Sequence, residues 1–111
     1  MADCIFCKIA RGEIPSNKLY EDDKVLAFHD IDPKAPVHVL VIPKMHLSGA
    51  AAVTADTAEV VGHIFAVIPQ IAEKLGITDF RVVTNNGADA GQTVGHLHFH
   101  ILGGRTLGEM G

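Results

Sequence analysis

Hydrophobic and polar positions along the chain follow two different periods, and each period predicts an element. Between Thr54 and Leu75, placed at about 100° per residue, Val60, Val61, Ile64, Phe65, Val67, Ile68, Ile71, Ala72 and Leu75 fall on one arc. Asp56, Glu59, His63, Gln70, Glu73 and Lys74 fall opposite, on a polar face where His63 is expected to be solvated. Thr54 is the expected N-cap of this long helix and Gly76 its C′ residue. The apolar arc spans roughly 160°, wider than the ~100° stripe that one buried face requires. Deep burial in the chain's own core accounts for that width, and so does packing on a second subunit.

Period two governs the end of the chain, where His96-Leu97-His98-Phe99-His100-Ile101-Leu102 alternates strictly within a strand expected over Gly95–Leu102. Further strands are expected at Lys18–Tyr20, Val25–Asp30, Val37–Ile42 and Asp79–Thr84. Val37–Ile42 is apolar on nearly both faces, as a central strand is. Asp3 caps a short helix expected to run to Ala10, with Gly12 just past its end. The segments 21–23, 32–36 and 85–92 are turn or loop by composition. With no strand–helix–strand alternation, the order of elements predicts an α+β fold on an antiparallel sheet, in a single domain over residues 1–111.

Composition then narrows the function. A chain of 111 residues with 48% hydrophobic residues has ordinary globular make-up. Nine Lys and Arg against thirteen Asp and Glu leave a net charge of 9 − 13 = −4, which argues against a nucleic-acid-binding face. A small phosphorylated ligand stays open, because backbone N–H groups bind phosphate without basic side chains. No apolar run is long enough to cross a membrane, and Met1-Ala2-Asp3-Cys4 does not begin a signal peptide, so a cytoplasmic location is expected. In that setting the only two cysteines, Cys4 and Cys7, form a C-x-x-C that is metal-binding or redox-active rather than a structural disulfide.

The chain contains seven histidines, and a shuffled chain of this composition would hold H-x-H-x-H only about 0.03 times. On a strand all three imidazoles would project from one face while Leu97, Phe99 and Ile101 pack on the other. Two chemistries suit such a row. Neutral imidazoles two residues apart can share a zinc ion. Alternatively, one imidazole attacks phosphorus while its second nitrogen is oriented by a hydrogen bond. Gly91-Gln92-Thr93 just upstream favours the second, since it offers backbone donors and a hydroxyl for a phosphate nest.

These residues, taken with the rest of the chain, resemble the histidine triad superfamily, in particular its Hint branch of purine nucleoside phosphoramidases. The resemblance runs through Cys4-Ile5-Phe6-Cys7-Lys8-Ile9, Gly12-Glu13-Ile14-Pro15-Ser16, Ala27-Phe28-His29-Asp30-Ile31, Ala35-Pro36-Val37-His38 and Val41-Ile42-Pro43-Lys44. It continues through Asn85-Asn86-Gly87, Gly91-Gln92-Thr93-Val94, the histidine row and Gly103-Gly104-Arg105. It implies a five-stranded antiparallel sheet with one long and one short helix, joined to a second copy as a continuous sheet in a homodimer.

The resemblance also implies roles. His98 corresponds to the nucleophile, His100 and His38 to flanking active-site histidines, and Thr93 to the hydroxyl beside the leaving group. Asn85, Gly91, Gln92, Thr93 and Val94 correspond to phosphate and ribose contacts, together with His98 and His100. Asp30 corresponds to the acceptor of the ribose hydroxyls, and Ile5, Phe6, Ile9, Phe28 and Ile31 to the purine pocket. Bacterial relatives that carry the C-x-x-C bind zinc, which implies a structural Zn²⁺ on Cys4, Cys7, His46 and His96, with no metal needed for the chemistry. Gly95 stands where eukaryotic members commonly carry an aromatic residue, and their Trp-Pro-Pro ending is missing.

The implied activity is hydrolysis of the P–N bond in purine nucleoside 5′-phosphoramidates, of the adenosine 5′-monophosphoramidate type, through a nucleotidyl-histidine intermediate. Alternatives on the same scaffold are a dinucleoside polyphosphate hydrolase, a nucleotidyl transferase and a nucleotide-binding regulatory module.

Overall fold

The computed structural model of the chain describes residues 4–110. Strands β1 (Lys18–Glu21), β2 (Val25–His29), β3 (Val37–Pro43), β4 (Phe80–Val83) and β5 (Phe99–Gly103) form one sheet in the order β1-β2-β3-β5-β4. All four pairings are antiparallel. Helix α1 (Ile5–Ala10) precedes the sheet and α2 (Ala58–Leu75) crosses between β3 and β4. This is the expected α+β architecture, and none of the helices among the described residues is long and apolar enough to cross a membrane.

Alternation along β2 and β3 assigns the core to two layers. Val25, Ala27, Val39 and Val41 face α2 and bury against Ile64, Val67, Ile68 and Ile71. Leu26, Phe28, Leu40 and Ile42 face the opposite way, onto Phe6 and Ile9 of α1. Both faces of β3 are therefore covered, which is why its sequence is apolar throughout. Each fully buried branched side chain contributes roughly 1.5–3 kcal/mol.

Helix α2 fills its expected arc only in part. Ile64, Val67, Ile68, Ile71 and Ala72 are buried, whereas Phe65 is half exposed with its edge on Phe99. Gly76 ends the helix at φ 71°, the left-handed conformation expected of it. The start differs from expectation. Thr57, not Thr54, precedes the first turn, and its hydroxyl accepts the Thr54 N–H at 2.8 Å instead of capping the helix. Residues 55–57 are thus spent on a turn that the helical pattern concealed. Pro69 sits inside α2 without ending it.

His63 is not a free solvated side chain. Its Nε2 lies 2.7 Å from Asp22 Oδ2, fastening α2 to the β1–β2 turn. Asp22 also accepts from Tyr20 Oη at 2.8 Å and from the Lys24 and Val25 amides at 2.8 and 2.9 Å. Burial pushes its carboxyl up, but the hydrogen bonds, led by His63, outweigh it and hold the group below the usual carboxylate range.

The expected cap Asp3 lies outside the described residues. Cys4 occupies the N-cap of α1, its thiol accepting the Cys7 N–H at 3.4 Å. The last strand also starts later than expected, at Phe99, because β3 pairing stops at Val41↔Phe99. Beyond that point Leu97 N–H donates to Leu47 O at 2.6 Å, outside the ladder.

Candidate functional site

Although His96 and His98 precede β5, the side-chain alternation persists through them. Leu97, Phe99 and Ile101 join the core beneath α2. The three imidazoles occupy the α1 side. The Phe6 ring stands edge-on to His96 and His98, with centroids at 5.9 and 5.1 Å, and the His98 and His100 rings are 5.0 Å apart. His96 and His98 are buried, and His100 is partly so.

Backbone partners fix which nitrogen of each ring carries the proton. His98 Nδ1 lies 2.7 Å from the His96 carbonyl oxygen, which can only accept, so Nδ1 is the donor and Nε2 keeps its lone pair. His38 Nδ1 accepts the Lys34 N–H at 3.0 Å, which places the His38 proton on Nε2. That proton is shared with His100 Nδ1 at 2.8 Å and with Asp30 Oδ2 at 3.4 Å. His100 accepts through Nδ1 and carries its own proton on Nε2. The site therefore presents one lone pair, on His98, beside one N–H donor, on His100. Burial first, then the neighbouring His98 and His38 rings, pushes the His100 imidazole down to about 4. Burial likewise lowers His38, against the pull of Asp30. In both rings burial therefore favours the uncharged form.

Two hollows meet at these rings. A cavity of about 320 Å³ is walled by Ile5, Phe6, Ile9, Phe28, Ile31, Leu40 and Val94, with His98, His100, Asp30 and Thr93 at its mouth. A cleft of about 470 Å³ continues from His100, Thr93 and Asp30 to His38, Asn85 and Gly91. One end is apolar and the other polar, a pairing suited to a flat apolar group attached to a charged one. A larger cavity of about 530 Å³ lies elsewhere, between β4 and residues 104–107, and neither an imidazole nor a thiol lines it.

Behind the histidine row Cys4, Cys7, His46 and His96 gather their ligand atoms within 4.8 Å of one another. Cys4 Sγ is 3.3 Å and Cys7 Sγ 3.5 Å from His96 Nδ1, Cys7 Sγ is 3.2 Å from His46 Nδ1, and the two Nδ1 atoms are 3.1 Å apart. Ligands about 2.0–2.3 Å from one tetrahedral ion would show similar edges. His96 Nε2 donates to the Pro43 carbonyl at 2.9 Å, so its Nδ1 lone pair faces the cluster, as a metal ligand requires. Burial lowers both imidazoles and raises the Cys7 thiol, the latter with help from Cys4. The four residues form a group that can bind a metal ion.

Comparison with known proteins agrees with this geometry. The profile of the HIT domain family matches residues 11–107. The chain belongs to the HIT domain family. Among HIT relatives, an uncharacterized HIT-like protein of Synechocystis is 55% identical over 104 residues, covering 93% of this chain and 91% of that protein. The purine nucleoside phosphoramidase of Escherichia coli is 44% identical over 110 residues, covering 97% and 92%. The HIT family hydrolase from Clostridium thermocellum superposes with a TM-score of 0.95 at 45% identity, covering 99% of this chain and 97% of that one. The chain is a HIT family hydrolase by these similarities.

Within this HIT fold most of the expected site residues line the two hollows, but not all do so alike. Gln92 spends its amide inside the protein. Its Nε2 donates to Ser48 O and Val94 O at 2.7 and 2.9 Å, and its Oε1 accepts the Gly87 N–H at 2.8 Å. Gln92 thus braces the 85–94 loop. Ile31 is fully exposed at the rim. Ile14, Ser16 and Asn17 also line the apolar cavity and were not expected there. They sit between α1 and β1, and only the return of the chain across α1 brings them to the pocket; neither periodicity nor motif spacing signals it.

Proposed function

We propose that the chain hydrolyses the P–N bond of purine nucleoside 5′-phosphoramidates, with adenosine 5′-monophosphoramidate as the type substrate. The observation that carries the reading is His98, whose Nδ1–H is anchored on the His96 carbonyl while Nε2 is free where the apolar cavity meets the polar cleft. The purine lies among Ile5, Phe6, Ile9, Phe28 and Ile31. Asp30 accepts the ribose hydroxyls, a capacity its carboxylate retains beside the Asp32 N–H at 2.8 Å. The Val94 N–H, with Asn85 and the His100 Nε2–H, holds the phosphoryl oxygens, while Gly91, whose N–H is spent on Ala88 O at 3.0 Å, lines the cleft beside them.

His98 Nε2 attacks the α-phosphorus, the P–N bond breaks, and the departing amine takes a solvent proton relayed by the Thr93 hydroxyl. Water then attacks the same phosphorus and returns a proton to solvent, the N–P bond to His98 breaks, and the nucleoside monophosphate leaves with the imidazole regenerated. His38 keeps His100 in the donating tautomer throughout. Cys4, Cys7, His46 and His96 suit a structural zinc ion, whose four positions they would fill, leaving none for substrate. The working unit in this reading is a homodimer.

AMP release from adenosine 5′-monophosphoramidate tests the reading. Wild-type protein should release AMP, and folded His98→Ala should be slower by ~10³-fold or more. Undiminished turnover in that variant rejects the mechanism. A folded wild type that binds AMP but releases none from this substrate points to a polyphosphate substrate or to a binding module.

A further inference from the structure

His96 belongs to two clusters at once. Its ring lies among Cys4, Cys7 and His46, while its carbonyl anchors Nδ1 of His98 at 2.7 Å. Neither His96 nor His98 has a place in the sheet ladder, which begins at Phe99. Their backbone is tied instead by His96 N–H to Val94 O at 2.9 Å, by Leu97 N–H to Leu47 O, and by the Thr84 hydroxyl, which donates to His98 O at 2.8 Å.

Helix α1 makes the second connection. At six residues it is too short to persist alone. Cys4 at its cap and Cys7 in its first turn supply two thiols, while Ile5, Phe6 and Ile9 form a wall of the apolar cavity. Phe6 touches both His96 and His98 edge-on. Neither α1 nor residues 94–98 is held by ladder hydrogen bonds: α1 rests on the sheet through Phe6 and Ile9, and residues 94–98 through buried Leu97, while the four ligands tie these two segments directly to each other. His46, just past β3, fixes both to the sheet.

We infer that metal binding at Cys4, Cys7, His46 and His96 is thermodynamically coupled to nucleotide binding in the cavity in front of them. A closed four-ligand cluster positions α1 and the anchor of His98, and a filled cavity holds the four ligands in register. The ion touches no substrate; Phe6 and the His96 backbone transmit the effect. The inference rests on the nucleotide reading of the cavity. Coupling between sites is reciprocal and typically ~5–150-fold.

The test is calorimetric titration of AMP into the full chain, zinc-loaded and chelator-stripped, with the fold of each checked by circular dichroism. Zinc affinity is measured alongside by chelator competition, with and without saturating AMP. AMP should bind the stripped chain ~10-fold more weakly, and saturating AMP should tighten zinc by the same factor. Equal AMP affinity for loaded and folded stripped protein overturns the coupling and leaves the nucleotide reading standing. No AMP binding to the loaded chain overturns the nucleotide reading and the coupling with it.

If stripping unfolds the chain, His46→Gly with zinc present supplies the comparison, because His46 lines neither the apolar cavity nor the polar cleft. Its AMP affinity should fall and should recover when free imidazole occupies the vacated corner. An unchanged affinity, or a loss that imidazole does not restore, overturns the coupling.

Discussion

Histidine carries most of the chemistry here, and its behaviour is set by atoms that are not histidine. Side-chain spacing alone places three imidazoles on one side of the chain, and they are found there. What spacing cannot convey is the tautomer of each ring. That depends on the Lys34 amide, the Pro43 carbonyl and the His96 carbonyl, partners that folding brings to the rings of His38, His96 and His98 respectively. The same desolvation makes a prediction about acid. His100 titrates at about 4 in the folded chain and near 6.5 when unfolded, so between these values the unfolded state binds more protons. Folding stability is therefore undiminished above about pH 6.5 and falls as the pH drops toward 4. At pH 5 this one residue should cost about 1–2 kcal/mol. Urea denaturation at pH 7 and pH 5 checks it: His100→Asn, which does not titrate, should lose less stability over that interval than wild type. Equal losses would assign the acid sensitivity to other groups.

At the level of elements, the sequence pattern locates every strand and both α-helices, misses the 3₁₀ turns Ala50–Ala52 and Ala88–Ala90, and places element ends less well. The last strand was expected from Gly95 because alternation reports which face a side chain occupies, not whether its backbone is in a ladder. Alternation runs through His96–His98 while the ladder waits until Phe99. The start of α2 was expected after Thr54 because a hydroxyl before an apolar stripe usually caps it, whereas here the Thr57 hydroxyl closes the preceding turn. His63 failed for a third reason. A helical wheel gives its side of α2 but not that the β1–β2 turn comes over that side with Asp22. This contact joins α2 to the β1–β2 turn alongside the exposed Lys74 Nζ to Leu19 O bond at 3.1 Å and the Lys24–Glu59 pair at 3.8 Å, and a hydrogen bond to a carboxylate contributes about 1.5–3 kcal/mol. His63→Ala should lower stability by about 1–2 kcal/mol in thermal or urea unfolding while leaving AMP affinity unchanged, because neither His63 nor Asp22 lines either hollow. An unchanged unfolding midpoint would show the contact to be energetically idle.

For the whole molecule, the two edges of the sheet are unlike, and the difference bears on the homodimer proposed above. The β1 edge carries Lys18 and Glu21, tied to each other at 3.0 Å, and its register with β2 shifts between Lys18 and Tyr20. Charge and irregularity are the features that keep an edge from pairing with another chain. The β4 edge, Phe80-Arg81-Val82-Val83, has no such irregularity in its register with β5. Phe80 is 37% exposed there and Phe65 of α2 is 50% exposed. The cavity of about 530 Å³ opens along the same side, beside Phe80 and Leu107. Two copies joined through β4 would satisfy the free backbone groups of both edges and cover these rings, giving one sheet of twice the width. Light scattering of the purified chain should then return twice the chain mass at micromolar concentration, and Phe65→Asp combined with Phe80→Asp should return a monomer. Both substitutions lie outside the two hollows at the histidine row, so the monomer should still bind AMP. A wild type that remains monomeric at that concentration would leave the width of the α2 arc to burial in its own core, the other reading that the sequence allowed.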